Sequence, residues 1–470
     1  MKNVKQTAVK ENLAVGKQRS YNEIVEFLDA HWTTNPNDKS LSTIKKLDQA
    51  FGNVAQKLNT VLVGGTNGKS LTIHFATKLL KEEGLTVGAY YSPHILTYNE
   101  LFTFNNEVIS NKTFTEVGNE VINTAETIGV KANSYDILTM MALVYFKNSG
   151  ADVVLLETSE GGLSNATNIC HPKIAAITRI TEEGSNVKVS AEVLQEFLGI
   201  VKSGTHVVCA DQSKLNLQDM ADVVEEKGGI WSMPIRKLAA LTYPFEQLHG
   251  RCAALAERIA QIYVNIIINR ESIVVSGSLL TKQKGTRGRP TLEAKRQSEL
   301  NPRKTVEQFW KETQNELPGR FQLLDKEKPT ILLDNANNLD AFKNLLLGIR
   351  LLHYQRPLKG LTLIVGCSNP DLNINEFLKL LRYFFKKTSG QVIVCPVGLV
   401  PGHKGSQDLD IEKITNNIKG MKIKARSAKN FKEAFEAAQK TVDERHGLVV
   451  ITGSSSVVAE YWKHKGIKKL

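Results

Sequence analysis

The chain has 470 residues, 41% of them hydrophobic and 23% charged, with a formal net charge of +12. Such a length is comfortable for two domains, and such a composition is ordinary for a soluble globular protein. No uninterrupted apolar run approaches the roughly 18–20 residues of a membrane span, so a membrane-spanning protein is not expected.

The opening segment 1–20, MKNVKQTAVKENLAVGKQRS, is basic and polar without an apolar centre, so it reads as a tail and no secretory signal is expected. A first α/β pattern then runs from about Tyr21 to Val275 and defines an expected domain of residues 21–276. Its predicted strands are Thr60–Val63, Val87–Tyr91, Val153–Glu157, Ile174–Thr178 and His206–Ala210, short β-branched or apolar runs separated by helical stretches. Lys69–Glu83 is predicted as a helix: Leu71, Phe75 and Leu79 fall on one face and Gly84 can cap its end.

Residues 277–304 interrupt the pattern with Lys, Arg, Gly and Pro and read as a linker or excursion. Lys282–Lys304 carries +6, half of the formal charge of the chain. A solvated basic linker is preferred there, ahead of contact with an anionic substrate, and nucleic acid comes last. A second α/β unit, residues 305–470, has predicted strands Thr330–Asp334, Leu361–Val365, Gln391–Cys395 and Leu448–Thr452, with helices such as Ala341–His353 and Ile374–Lys387 between them. Alternating apolar strands and helices imply parallel sheets covered on both faces, with ligands at the carboxyl ends of the strands. Five cysteines (Cys170, Cys209, Cys252, Cys367, Cys395) lie far apart, most in or beside apolar runs, so reduced thiols and a cytoplasmic location are expected.

The most informative stretch is Thr60–Ser70, TVLVGGTNGKS. A generic Walker loop would place glycine where Val63 stands, so that motif is not met. What remains is a strand, then Gly64 and Gly65 for a tight turn, then Gly68 where a phosphate can approach closely, then Lys69 and Ser70 at a helix start. Lys69 would neutralise the β/γ-phosphates and Ser70 would ligate Mg²⁺. The rival reading is a Gly/Asn turn capping a helix beside an incidental lysine.

GTNGKS resembles the phosphate loop of the Mur ligase superfamily, and other segments agree. SYNEIVEFLDAH, FGN at Phe51–Asn53, SPH at Ser92–His94, ETSEGGLSNATN at Glu157–Asn168, LPGRF at Leu317–Phe321, LLDNANN at Leu332–Asn338 and ITGSSSVVAE at Ile451–Glu460 follow in order. Together they resemble folylpolyglutamate synthase/dihydrofolate synthase from Tyr21 onward. The resemblance implies an N-terminal P-loop-type parallel-sheet ATPase domain and a C-terminal Rossmann-like α/β domain. It also implies an ATP-dependent acid–amino-acid ligase of the tetrahydrofolate synthase kind, in folate biosynthesis and one-carbon metabolism. Its substrates would be ATP, L-glutamate and a folate or pteroate, its metal Mg²⁺, and its state a monomer.

By the same resemblance Gly65, Thr66, Asn67, Gly68, Lys69 and Ser70 form the phosphate cradle. Ser70, Ser92 and Glu157 match metal ligands, Lys69 and Glu157 act in catalysis, Arg320 reaches ATP from the second domain, and Asp334 lies near the ribose. Plain structural roles compete for three of them: a charge ending a buried strand for Glu157, a surface arginine in a Pro-Gly turn for Arg320, a helix cap for Asp334. His94 is expected to support Ser92 rather than act as a base, and His171 and His249 to be buried or surface residues.

Several family positions differ. The expected Asp-His after the ITNI-like strand is absent from ITRITEEGSNV, Phe197 stands where EKAGI has its carbamylated lysine, Leu163-Ser164-Asn165 replaces Arg-Leu-Asp, Cys252 replaces an asparagine, and Asn337 replaces a histidine. These losses fall on the second-metal side. Glu182 or Glu183 as a substitute oxygen ligand, and Lys188 as a substitute charge, are the compensations to look for. Besides the folate ligase, two readings stay open: a catalytically impaired ATP-binding relative with a regulatory or scaffold role, and a Mur-type ligase acting on another carboxylate.

Overall fold

The computed structural model describes residues 16–32, 41–159, 161–183, 188–210, 213–232, 241–270, 306–366, 369, 371–398 and 410–470. The expected tail up to residue 15, the whole 277–304 excursion and Cys367 lie outside the described residues.

Two sheets organise the chain. The first has eight strands: β1 (Thr60–Gly64), β2 (Val87–Tyr90), β3 (Phe102–Phe104), β4 (Glu107–Val108), β5 (Val153–Glu157), β6 (Ile174–Ile177), β7 (His206–Cys209) and β8 (Ile230–Trp231). Their spatial order is β4-β3-β2-β5-β1-β6-β7-β8. From β2 to β8 every pairing is parallel, and β3 and β4 extend the edge as an antiparallel ribbon. The second sheet contains β9 (Gln322–Leu324), β10 (Thr330–Asp334), β11 (Leu361–Val365), β12 (Gln391–Val394), β13 (Lys424–Ser427) and β14 (Leu448–Thr452), in the order β13-β12-β11-β14-β10-β9. Only β9 runs antiparallel.

Central strands β1, β2, β5 and β6 are buried along their whole length, which their unbroken apolar sequences demand, since helices cover both faces. β1 lies between β5 and β6, so the chain crosses from one side of it to the other. A crevice therefore opens above its carboxyl end, where the glycine turn begins. The predicted helix forms over Lys69–Glu82, with Gly84 at φ +80° just beyond its end as the cap requires.

One apolar cluster joins the two halves. It runs from Val61 and Phe75 through Phe245 and Ala253 to Trp310, Phe321, Leu332 and Phe342. Trp310 is fully buried and its indole Nε1–H donates to Glu257 Oε1 at 3.0 Å. Among the described residues no helix is long and apolar enough to cross a membrane. The described cysteines, Cys170, Cys209, Cys252 and Cys395, are free thiols, and all but Cys252 are buried.

Candidate active site

The turn after β1 is shaped by its glycines. Gly65 has φ +127° and Gly68 φ +89°. A Cβ on Gly65 would strike Thr178 Oγ1, and one on Gly68 would come within 2.9 Å of Cys252 Sγ. The turn is also stapled to the loop after β6. Thr66 N donates to the Arg179 carbonyl at 2.6 Å, and Thr66 Oγ1 accepts from Thr181 N at 2.9 Å. Lys69 folds over the turn, its Nζ donating to Gly65 O at 2.8 Å and Thr66 O at 3.3 Å. The cradle is thus preorganised, with its N–H groups and one ammonium gathered at a helix start.

Glu157, the last residue of β5, is 3% exposed. Its Oε1 accepts from Ser70 Oγ at 3.2 Å and its Oε2 from the backbone N–H of Ser92 at 3.3 Å. Burial raises its pKa, against the opposing pull of Lys69, Arg320 and the two hydrogen bonds. Arg320 reaches in from the other half and donates from Nη2 to Ser70 Oγ at 3.2 Å. Asp334 ends β10 and holds the Arg320 turn in shape, accepting from Phe321 N at 2.8 Å and Ala336 N at 2.9 Å. Loss of solvent pushes its pKa up to about 6, the two N–H donors and Arg320 resisting.

The residues expected from sequence at the loop, at the end of β5, after β2 and in the Pro-Gly-Arg turn are therefore brought together. Ser92 meets Glu157 through its main chain. Ser70 and Glu157 present hard oxygen atoms of the kind Mg²⁺ takes, an ion that favours few protein ligands and keeps its remaining places for water and phosphate. The described residues contain no group of three or more His, Cys, Asp or Glu side chains able to hold a metal.

The other side of the loop differs from expectation. Phe197 packs against the apolar cluster of the first sheet. Glu182 caps the helix Ala191–Phe197 through Ser190, accepting from its N at 2.7 Å and its Oγ at 3.1 Å. Glu183 Oε1 accepts from Leu339 N at 2.9 Å, and Lys188 pairs with Asp219 at 2.6 Å. None of the three compensations is aimed at Glu157. Glu196, adjacent to Phe197, instead accepts from Gly162 N, Ser164 N and Ser164 Oγ and fixes the turn after β5. His94 is buried with its ring 4.5 Å from Tyr98, and His249 is buried, pushed down to about 4 by desolvation.

A contact set not anticipated from sequence bridges the halves at the loop tip. Asn67 Nδ2 donates to Asn338 Oδ1 and Asp340 Oδ2, both at 3.0 Å. Arg179 Nη1 lies 2.7 Å from Asp340 Oδ1. Arg179 follows the carboxyl end of β6, so the strand-end rule could have singled it out.

Comparison with known proteins agrees with this geometry. No family model matches the chain. The dihydrofolate synthase/folylpolyglutamate synthase of Bacillus subtilis is 27% identical over 318 residues, 65% of this chain and 70% of that one. The protein of the same name from Haemophilus influenzae is 24% identical over 459 residues, 91% of this chain and 93% of its own. The bifunctional folylpolyglutamate synthase/dihydrofolate synthase of Yersinia pestis, solved with AMPPNP and a Mn ion, superposes with a TM-score of 0.71 at 20% identity, covering 96% of this chain and 98% of that one. In sequence and in fold the chain is folylpolyglutamate synthase/dihydrofolate synthase-like, the Mur ligase resemblance read from its motifs.

Proposed function

We propose that the protein is an ATP-dependent carboxylate–amine ligase adding L-glutamate to a folate or pteroate carboxylate through an acyl phosphate. The observation that carries the reading is the convergence on Ser70 Oγ of Glu157 from one half and Arg320 from the other, each at 3.2 Å, beside the glycine turn. The backbone N–H groups of the Gly65–Ser70 turn other than that of Thr66, which the Arg179 carbonyl holds, bind the triphosphate with the Lys69 ammonium, and Arg320 orients it from across the cleft. The carboxylate oxygen attacks the γ-phosphorus and ADP leaves. The glutamate nitrogen then attacks the acyl carbon, inorganic phosphate leaves, and the amine proton is lost to solvent. Positioning and charge neutralisation suffice for such chemistry. Mg²⁺, held by Ser70, Glu157 and the Ser92 side chain, would supply further neutralisation of phosphate charge when bound.

The division into 1–20, 21–276, 277–304 and 305–470 belongs to this reading, as do a cytoplasmic monomer and the absence of a nucleic-acid partner. Phe197 in the apolar packing, with Glu182, Glu183 and Lys188 engaged elsewhere, favours a second reading, an ATP-binding relative without turnover. Purified protein with ATP, Mg²⁺, L-glutamate and dihydropteroate or tetrahydrofolate decides between them. Glutamylated product and phosphate release, both lost in Lys69→Ala, are expected. Nucleotide binding without product would support the second reading, and turnover with a UDP-muramyl substrate alone would move the protein to another Mur-type ligation.

A further inference from the structure

We propose that Arg179 is a further catalytic residue of this site, leaving Asp340 to hold the γ-phosphoryl group as that group is transferred. The proposal rests on the nucleotide-binding reading above and adds a residue to it.

Place comes first. β6 is the immediate neighbour of β1, and the Arg179 carbonyl accepts from Thr66 N within the glycine turn. The residue is therefore pinned to the cradle through its backbone, and its side chain reaches Asp340 beside the loop tip. The guanidinium and the loop-tip amide of Asn67 both terminate on the Asp340 carboxylate, one on each oxygen. Two donors from the same half of the molecule thus already converge on one anion. Phosphoryl oxygens present the same kind of acceptor pair, and a planar guanidinium suits them.

Charge makes the exchange favourable. Of the other cations at the loop, Lys69 lies on the carbonyls of Gly65 and Thr66, and Arg320 lies on Ser70. On the Arg179 side, Asn67 at the loop tip donates to Asp340, and Glu183 accepts from the backbone of Leu339 next to it. Arg179 pairs with Asp340 beside the loop tip, so it is placed to share with Lys69 and Arg320 the charge that builds on the transferred phosphoryl group. Its side chain is 45% exposed, so the Asp340 pair is held weakly and can be traded for a doubly charged phosphoryl group. During transfer the bond from the γ-phosphorus to the ADP oxygen breaks and the bond to the substrate carboxylate oxygen forms. Arg179 donates hydrogen bonds throughout and neither gains nor loses a proton.

The test uses the full chain and calorimetry with AMPPNP or ADP in the presence of Mg²⁺. Arg179→Ala should weaken AMPPNP by about tenfold or more while leaving ADP within about twofold, since only the γ-phosphoryl contact is removed. Retained ADP affinity shows that the variant is folded. Asp340→Asn releases the guanidinium, so it should keep or tighten AMPPNP binding. An unchanged AMPPNP-to-ADP ratio in Arg179→Ala overturns the proposal alone. Equal weakening of both nucleotides by both variants also overturns it, since the pair is then only a clasp between the halves. Wild-type protein that binds neither nucleotide removes the underlying reading together with the proposal.

Discussion

Asn67 and Asn338 exchange hydrogen bonds in both directions, each Nδ2 lying 3.0 Å from the Oδ1 of the other. Asn67 sits at the tip of the glycine turn, and Asn338 caps the helix Leu339–Gln355, its Oδ1 also accepting from Ala341 N. The phosphate cradle is thus tied directly to the second half. In a double-mutant cycle, Asn67→Ala and Asn338→Ala should couple by about 1 kcal/mol in urea unfolding. Strictly additive losses would show that the two amides act independently.

Glu157→Gln keeps the shape of the side chain while removing its charge. The proposed Mg²⁺ would be held less well by the neutral amide, and a lost stabiliser of transition-state charge costs about 10²–10³ in rate. Ligation should fall by that order, with little change in melting temperature because a buried carboxylate of raised pKa is being replaced by a neutral group. A variant as fast as wild type in a phosphate-release assay would remove Glu157 from the chemistry.

Restoring lysine at Phe197 should not create activity. The half-buried phenyl ring packs against the apolar cluster of the first sheet, and lysine would give up that packing. A loss of about 1–3 kcal/mol in stability is expected, with no gain in glutamylated product. A faster enzyme with an unchanged melting temperature would contradict this packing.

Asp334 gives a pH dependence whose sign can be worked out. Its carboxyl titrates near 6 in the fold, against 3.8 for the free group. Between those values the folded protein keeps a proton that the unfolded chain has lost, so its contribution to stability is greatest below about pH 4 and declines as pH rises to about 6. The stability of wild type relative to Asp334→Asn should therefore fall by on the order of 2 kcal/mol across that window. Parallel melting curves for the two proteins from pH 4 to 7 would refute the assignment.

Elements with a strong local signal were legible from sequence. β5, β10, β11 and β14 occupy the residues expected, because each is a buried apolar run bounded by polar or glycine residues. β3, β4, β8, β9 and β13 were not foreseen: they are two to four residues long, largely half-buried or exposed, and made by pairing rather than by their own sequence. The site divides the same way. The Gly65–Ser70 turn and Glu157 announce themselves locally. The Asn67–Asn338 pair joins positions 271 residues apart, and no periodicity can report it. Glu182, Glu183 and Lys188 look in sequence like spare ligands, yet each is engaged by a neighbour that only folding supplies.

The apolar seam from Phe75 through Phe245 and Phe321 to Phe342 has a mechanical consequence. Because the halves share buried side chains there, prising them fully apart would wet aromatic surface on both. A widening of the cleft that kept this seam closed would leave those buried rings dry.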